Sequence, residues 1–256
     1  MTASPAMAAT HSLALPAPPP SLLENAALFL DFDGTLVDIA ATPDAVVVDA
    51  PVHDLLARLV ERHRGAVAIV SGRSIAQLDA LLGENAMRLA LSGSHGVEQR
   101  ENGVLAQPSR APELDEAEAA IRSFARDRDG LIVESKSYGV ALHYRLSPGF
   151  ADEARCHAAA ISERLGLRLQ EGKMMVELRI AGDDKGGAIR ALMSCAAMQG
   201  RNPLVLGDDV TDEDAFLAAR GLGGHAILVG AMRETEADFI LPSPAAARDW
   251  LAGGPR

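Results

Sequence analysis

Short apolar runs alternate with amphipathic helical patterns along most of this chain. The strand-like runs cover residues 26–30, 66–70, 88–91, 203–206, 225–229 and 238–241. Helical patterns follow several of these runs, at residues 51–64, 74–82 and 185–198. Parallel neighbouring strands need a crossover connection, and a helix is the usual one. The alternation therefore predicts an α/β fold with a Rossmann-like parallel sheet as its core.

The middle of the chain follows a different order. One helix-strand-strand unit covers residues 112–128, 131–136 and 140–146, and a second covers residues 150–165, 167–170 and 174–180. Such a repeat is typical of a small antiparallel sheet with helices on one face. We therefore expect an inserted α+β domain at residues 105–181, with residues 26–104 and 182–256 forming the α/β core.

The first 25 residues are rich in proline, and we expect residues 1–25 to form a disordered leader. They do not resemble a signal peptide, because the first basic residue of the chain is Arg58. No run approaches the roughly 18 apolar residues of a membrane span. Two cysteines without metal-ligand spacing favour a reducing compartment. These observations predict a cytoplasmic location.

The charge of the chain limits its partners. Its 256 residues include 24 basic and 35 acidic ones, which give a formal net charge of −11. This balance argues against nucleic acid or an anionic membrane surface as the main partner. An anionic substrate would need locally placed positive charge or a metal ion. Only three basic residues are lysines, namely Lys136, Lys173 and Lys185, which makes each of them a candidate for a specific role.

Asp31 and Asp33 directly follow the first apolar run. Side chains two residues apart on an extended segment point the same way, so both carboxylates face one site. Two carboxylates this close repel each other unless a cation or a proton lies between them. Gly34 allows the sharp turn that follows. The alternative, an Asp-Gly turn with solvated carboxylates, fits poorly with the buried strand before it.

A second acidic cluster covers residues 207–214, after another apolar run. Thr211 and Asp214 form an N-terminal capping pattern, so Asp214 and Glu213 have an alternative role at the start of a helix. That alternative does not fit Asp208, which directly follows the strand. Oxygen ligands at two strand ends suit a hard ion such as Mg²⁺, and the lack of histidine and cysteine disfavours zinc.

Four ordered motifs of the chain resemble those of the haloacid dehalogenase-like phosphatases. They are Asp31-x-Asp33-Gly34-Thr35, Ser71-Gly72-Arg73, Lys185 and Gly207-Asp208-Asp209-x-x-Asp212. The resemblance covers residues 27–245, and the inserted domain falls between the second and third motifs, as does that superfamily's cap of the second type. Three further segments resemble the trehalose-6-phosphate phosphatase branch, namely residues 93–98, residues 141–145 with Lys136, and residues 172–179.

The resemblance implies a Mg²⁺-dependent phosphatase that hydrolyses trehalose 6-phosphate through an aspartyl-phosphate. Asp31 would be the nucleophile. Asp33 would protonate the leaving sugar oxygen and then deprotonate the attacking water. Asp31, the backbone carbonyl of Asp33 and Asp208 would hold the metal. Asp209 or Asp212 would also contribute, either as a direct metal ligand or by contacting a ligand. Which of the two residues does so, and in which way, stays open.

Two more motifs are implied to bind the phosphoryl group. The Ser71 hydroxyl and the Gly72 N–H would donate to phosphoryl oxygens, with Arg73 beside them, and the Lys185 ammonium would supply a point charge. The alternatives are that Ser71 is only a helix cap, a role for which Ser74 competes, and that Lys185 lies on the surface.

The cap would recognise the sugar. Residues that alternate onto one face of its predicted strands are the candidates, namely Lys136, His143, Arg145, Lys173 and Glu177. His95 and Glu98, at a core strand end, would meet the sugar or the cap. Solvent exposure or cross-strand salt bridges are the alternatives.

Two other functions compete with the leading one. A related phosphatase would act on sucrose phosphate or mannosylglycerate phosphate. A non-catalytic, sugar-phosphate-binding regulatory domain fits less well, because Asp31 and Asp33 are both present.

Overall fold

The structure is a computed structural model that describes residues 15–40, 45–101, 103–106, 110–172, 174–180 and 184–253. Its strands are β1 (Ala26–Leu30), β2 (Val67–Val70), β3 (Ala90–Gly93), β4 (Glu98–Glu101), β5 (Val104–Ala106), β6 (Ile132–Lys136), β7 (Gly139–His143), β8 (Arg168–Gly172), β9 (Met175–Arg179), β10 (Asn202–Gly207), β11 (His225–Val229) and β12 (Phe239–Leu241). Its α-helices are α1 (Ala50–Arg62), α2 (Ile75–Leu82), α3 (Pro112–Ala125), α4 (Ala151–Leu165), α5 (Lys185–Leu192), α6 (Glu213–Gly221) and α7 (Pro244–Leu251).

The larger sheet has eight strands in the order β12-β11-β10-β1-β2-β3-β4-β5. The strands from β12 to β3 pair in parallel, and β4 and β5 extend the sheet in antiparallel fashion. Every residue of β1 and β2 is buried. Continuous apolar strands of this kind need cover on both faces. The fold class predicted from the alternation is confirmed.

Two layers of helices cover this sheet. Apolar side chains of α1, α2 and α7 form one core with one face of the strands. Side chains of α5 and α6 form a second core with the other face. The helix ends follow local sequence signals: Pro51 lies in the first turn of α1, and Ser74 caps α2 through a capping box. The helical patterns predicted from residues 51 and 74 onward are confirmed, and so is the cap role considered for Ser74.

The smaller sheet has the antiparallel order β6-β7-β9-β8 and forms the cap. Helices α3 and α4 pack on one face of this sheet against Val140, Leu142, Val176 and Leu178. Because side chains alternate along a strand, the residues between these point to the opposite face. That open face carries polar and charged side chains.

The boundary predicted between residues 104 and 105 falls inside β5. Strand β5 pairs with β4, with Arg100 opposite Leu105, so residues 105 and 106 belong to the core sheet. The sequence showed no clear alternation over β4 and β5, because β5 is fully exposed. The predicted return of the chain at Gly182 lies outside the described residues.

Residues 15–25 do not behave as the predicted disordered leader. The carbonyl of Pro16 accepts a hydrogen bond from Ile240 N at 3.0 Å, and the carbonyl of Pro18 accepts one from Trp250 Nε1 at 2.9 Å. Leu23 is buried in the core beside α1. Backbone contacts with distant elements, which a composition argument cannot detect, hold this segment. Residues 1–14 lie outside the described part of the chain.

Among the helices of the described residues, none combines the length and the apolar character that a membrane span needs.

Candidate active site

The carboxyl ends of the parallel strands bring the predicted motifs to one edge of the core sheet. Asp31 follows β1, Ser71 follows β2 and Asp208 follows β10, and these three strands are neighbours. Lys185 begins α5 and reaches the same edge. Open α/β sheets bind ligands at this edge. The four core motifs therefore converge, although they are separated along the chain.

Lys185 lies between two buried carboxylates. Its Nζ donates to Asp31 Oδ1 at 2.6 Å and to Asp212 Oδ1 at 2.5 Å, and all three residues are buried. Burial acts to lower the pKa of Lys185, but the charges of Asp212 and Asp31 outweigh it and raise that pKa. The lysine therefore stays protonated. The alternative of a surface lysine is wrong for Lys185.

Asp31, Asp208 and Asp212 form a group that can hold a metal ion. One carboxylate oxygen from each lies within 4.8 Å of the others. Burial raises the pKa of Asp31 well above its usual value, although Lys185 acts against it. Burial, followed by the charges of Asp212 and Asp209, raises the pKa of Asp208 to about 6. A cation would offset this concentration of negative charge.

One oxygen in this group fits a further ligand particularly well. Asp31 Oδ2 is buried and has no hydrogen-bond partner among the described residues. A buried carboxylate oxygen without a partner is costly unless a proton, cation or substrate completes it. The donor set is made of oxygen only, which suits a hard divalent cation.

Asp212, rather than Asp209, joins the buried group. Asp212 Oδ2 accepts the N–H groups of Asp208 and Asp209, each at 3.0 Å, and so shapes the loop after β10. Asp209 is exposed, and its side chain accepts a hydrogen bond from Val210 N. Gly34 has a φ of +89°, and a Cβ there would lie 2.1 Å from Asp208 Oδ2. The absence of a side chain at Gly34 lets the two acidic loops meet.

Asp33 lies beside the group but is bound to Arg73. Arg73 Nε donates to Asp33 Oδ2 at 2.6 Å, and Arg73 Nη2 donates to Asp33 Oδ1 at 2.8 Å. The guanidinium carbon lies 5.7 Å from the centre of the Phe32 ring. The Asp33 side chain is therefore oriented separately from Asp31, as two different roles would require.

Ser71 is buried in the turn between β2 and α2, and Ser74 provides the cap of α2. The alternative role of Ser71 as that cap is therefore wrong. Its Oγ accepts a hydrogen bond from Arg73 N at 3.2 Å. The ring of His95 lies against Gly72, since a Cβ there would be 2.6 Å from His95 Nε2. Burial, and then the charges of Arg179 and Lys185, lower the pKa of His95 well below 6.5.

Three of the predicted sugar-binding residues, Lys136, His143 and Glu177, lie on the open face of the cap and are paired there. Lys136 Nζ donates to Glu177 Oε2 at 2.8 Å, and His143 Nε2 lies 2.9 Å from Glu134 Oε2. These are the cross-strand pairs considered as an alternative. Arg145 is exposed in the turn after β7. Lys173 lies outside the described residues.

A cavity of about 250 Å³ lies between cap and core, next to Lys185 and His95. Its cap wall consists of five residues that were not predicted to be functional, namely Arg168, Leu169, Gln170, Glu171 and Arg179. Arg179 is buried and donates to Gln170 Oε1 at 2.5 Å. The period-2 pattern that places Glu177 on the open face also places Arg179 there, so this signal was available in the sequence.

Comparisons with known proteins agree with this geometry. A family model described as trehalose-phosphatase matches residues 29–245. The "Probable trehalose-phosphate phosphatase" of Sinorhizobium fredii is 36% identical over 90% of this chain and 88% of its own. The trehalose-6-phosphate phosphatase of Escherichia coli is 35% identical over 91% of this chain and 87% of its own.

A solved structure supports the same relationship. It is described as a trehalose-6-phosphate phosphatase related protein, and it superposes with a TM-score of 0.74 at 30% identity. The match covers 88% of this chain and 95% of that one. The family model spans both the parallel core and the inserted cap. The chain therefore belongs to the trehalose-phosphatase family.

Proposed function

We propose that this protein hydrolyses trehalose 6-phosphate to trehalose and phosphate, with Mg²⁺ as its cofactor. One observation carries the proposal: the buried carboxylate of Asp31 accepts a hydrogen bond from Lys185, belongs with Asp208 and Asp212 to the group that can hold a metal, and has one oxygen without a partner among the described residues. A nucleophile needs such an available oxygen, and a neighbouring cation lowers the repulsion of an incoming phosphate.

In the first half of the reaction, an Asp31 oxygen attacks phosphorus. The new O–P bond forms as the bond between phosphorus and the sugar oxygen breaks. Asp33 in its protonated form gives its proton to that oxygen, which leaves as a neutral hydroxyl. The products of this half are free trehalose and an aspartyl-phosphate on Asp31.

In the second half, water hydrolyses the aspartyl-phosphate. Asp33, now a carboxylate, accepts a proton from the water as its oxygen attacks phosphorus. The bond between phosphorus and the Asp31 oxygen then breaks, which restores the Asp31 carboxylate and releases phosphate. Dividing the hydrolysis in this way replaces one difficult step by two easier ones.

Asp31, Asp208 and Asp212 would hold the metal, together with the backbone carbonyl of Asp33. When bound, Mg²⁺ supplies positive charge that reduces the repulsion between these carboxylates and the phosphoryl group. Asp209 is the weaker candidate for a ligand, because its exposed side chain caps the turn at Val210.

Phosphate recognition would use Ser71, Gly72 and Lys185. Ser71 is buried at the carboxyl end of the strand next to Asp31, and its hydroxyl can still donate. The Lys185 ammonium already lies at the nucleophile. The Arg73 guanidinium would keep Asp33 in place, since its Nε and Nη2 both donate to that carboxylate.

Sugar recognition would use the open face of the cap. Two pairs on this face combine a hydrogen-bond donor with an acceptor, namely Lys136 with Glu177 and His143 with Glu134. Sugar hydroxyls, which both donate and accept, can exchange for one partner of each pair. Arg179 and Gln170 extend the same polar surface towards Lys185. The pairing thus supports sugar binding, because it orients these side chains on the open face before the sugar arrives.

A phosphate-release assay tests the proposed function. The substrates are trehalose 6-phosphate, sucrose 6-phosphate, mannosylglycerate phosphate and glucose 6-phosphate, each with Mg²⁺ and with a chelator. We expect trehalose 6-phosphate to have the highest kcat/KM and the chelator to abolish activity. Comparable kcat/KM values for glucose 6-phosphate would contradict the disaccharide assignment, and a higher value for sucrose 6-phosphate would favour the related phosphatase.

We also propose a cytoplasmic location. The support is that Cys156 and Cys195 are free thiols, as a reducing compartment requires. Cell fractionation tests it, and recovery of the protein outside the cytosolic fraction would contradict it.

A further inference from the structure

Glu98, at the start of β4, is a buried carboxylate. Its side chain is only 3% exposed. Its Oε2 accepts a hydrogen bond from Ile75 N at 2.9 Å and another from Ser94 Oγ at 2.9 Å. Ile75 begins α2, whose first N–H groups lack partners within the helix, so the carboxylate also complements the positive helix end.

These two hydrogen bonds connect the first residue of α2, which directly follows one turn of the candidate site, with a second turn. The first turn, residues 71–74, follows β2 and contains Ser71 and Arg73. The second, residues 94–96, follows β3 and contains His95. Backbone contacts connect the same turns, because Ser94 N donates to Arg73 O at 2.8 Å and His95 N donates to Ser71 O at 3.0 Å.

The second turn has an unusual backbone. Ser94 has a φ of +50° and His95 a φ of +59°, in the left-handed region that residues with a side chain rarely adopt. Gly96 continues the run with a φ of +109°. Such a conformation persists only where surrounding contacts hold it. The hydrogen bond from the Ser94 side chain to Glu98 is one of those contacts.

The strained turn places His95 in the cleft. Its ring lies against Gly72, on the turn that would bind the phosphoryl group. Gly93 makes the arrangement possible, because a Cβ there would lie within 2.9 Å of Glu98 Oε2 and within 2.8 Å of Ile75 N. The position of His95 and the shape of the Ser71 turn thus depend on the same buried carboxylate.

We propose that Glu98 is a positioning residue for the phosphatase reaction: its carboxylate holds the turns at residues 71–74 and 94–96 in one arrangement and keeps His95 against Gly72. This inference rests on the proposed function for its kinetic consequence. Glu98 itself does not touch the substrate and acts through these turns.

The kinetic test compares Glu98→Ala with Glu98→Gln, using trehalose 6-phosphate and Mg²⁺. Glu98→Ala removes both hydrogen bonds, and we expect kcat/KM to fall by about 100-fold, since small displacements of catalytic groups have effects of this size. The amide oxygen of Glu98→Gln can accept both hydrogen bonds, so this variant should restore most of the activity. Wild-type kcat/KM in Glu98→Ala would overturn the proposal.

Asp79→Asn is the matched control. Asp79 on α2 forms a bidentate ion pair with Arg100 on β4, so it joins the same two elements as Glu98 without touching either turn. We expect a lower Tm with unchanged kcat/KM. An equal loss of kcat/KM in Asp79→Asn, measured below the Tm of every variant, would reduce Glu98 to a structural residue. If Glu98→Ala does not fold, Ser94→Ala replaces it as the test variant. We expect Ser94→Ala to have a reduced kcat/KM, and an unchanged kcat/KM would contradict the proposal.

A crystal structure of substrate-free Glu98→Ala separates this inference from the proposed function. We expect Ser94 and His95 to leave the left-handed region and the His95 ring to move away from Gly72. Unchanged turns would overturn the role of Glu98 whatever the substrate. A wild-type protein inactive on trehalose 6-phosphate would instead contradict the proposed function and leave this structural comparison decisive.

Discussion

Arg73 binds both carboxylate oxygens of Asp33, through Nε at 2.6 Å and Nη2 at 2.8 Å. The pair connects the turn after β1 with the turn after β2. Two parallel hydrogen bonds from a planar guanidinium fix the orientation of a carboxylate as well as its position. Asp33, the proposed acid and base, is therefore oriented before any substrate binds.

Replacing Arg73 by lysine should reduce catalysis more than it reduces stability. An ammonium keeps the charge but cannot bind both oxygens in one plane. We expect Arg73→Lys to lower kcat by about 10- to 100-fold, part of the roughly 10²- to 10⁴-fold that a positioned acid–base group contributes. Steady-state kinetics measures this. Arg88→Lys, which changes an exposed arginine paired with Glu61, is the control. An unchanged kcat in Arg73→Lys would show that the bidentate contact has no catalytic role.

Removing the ammonium of Lys185 should destabilise the fold. Lys185→Met leaves the buried carboxylates of Asp31 and Asp212 without their partner. We expect the free energy of unfolding to fall by about 3–5 kcal/mol, as measured for broken buried ion pairs. Urea unfolding at neutral pH tests this. The exposed pair of Arg164 and Glu116 provides the comparison, since Arg164→Met should cost less than about 1 kcal/mol. Equal losses in both variants would contradict the buried-pair interpretation.

Metal binding should depend on Asp208 and on pH. Protons compete with a metal for its ligands, and the pKa of Asp208 is raised to about 6 in the absence of metal. We expect isothermal titration calorimetry to show Mg²⁺ binding at neutral pH that weakens as the pH falls below 6. Asp208→Asn should lose this binding, whereas Asp209→Asn should keep it. The reverse order for these two variants would assign the ligand to Asp209.

His63 should make stability depend on pH. Burial lowers the pKa of this histidine below 6.5, while Nδ1 makes a hydrogen bond with the carbonyl of Ala26. The unfolded chain takes up a proton near pH 6.5, whereas the folded protein does not. The free energy of unfolding therefore has its full value above pH 6.5 and decreases as the pH is lowered below 6.5. The slope is at most about 1.4 kcal/mol per pH unit.

The comparison of wild type with His63→Asn isolates this contribution. Urea unfolding gives the free energy of unfolding for each protein at about pH 7.5 and about pH 5.5. These two values lie on either side of the ordinary histidine pKa of about 6.5. We expect the wild type to lose more stability than the variant as the pH falls. Parallel pH profiles would show that His63 titrates alike in the folded and unfolded states.

The convergence of Asp31, Asp208 and Lys185 could be predicted from sequence. Each follows a strand-end or helix-start signal, and the carboxyl ends of neighbouring parallel strands meet at one edge of the sheet. The cap sheet could be predicted for a similar reason, since the alternation along β7 and β9 separates a buried face from a polar one.

The hydrogen-bond partners of Asp33 and Glu98 could not be predicted from the sequence. Asp33 and Arg73 lie 40 residues apart, and nothing in their local sequence says that one orients the other. Glu98 lies in a motif beside His95 and was expected to meet the sugar or the cap, yet it is buried and accepts hydrogen bonds from Ile75 N and the Ser94 hydroxyl. Pairings of this kind depend on how turns pack together, which local periodicity does not record.

The most direct measurement is phosphate release from trehalose 6-phosphate with Mg²⁺ by the wild-type protein and by Asp31→Asn. Circular dichroism confirms that both are folded. We expect rapid release by the wild type and only the uncatalysed background with Asp31→Asn, because an amide cannot form the aspartyl-phosphate. Phosphate release by Asp31→Asn at the wild-type rate would contradict the central role of Asp31.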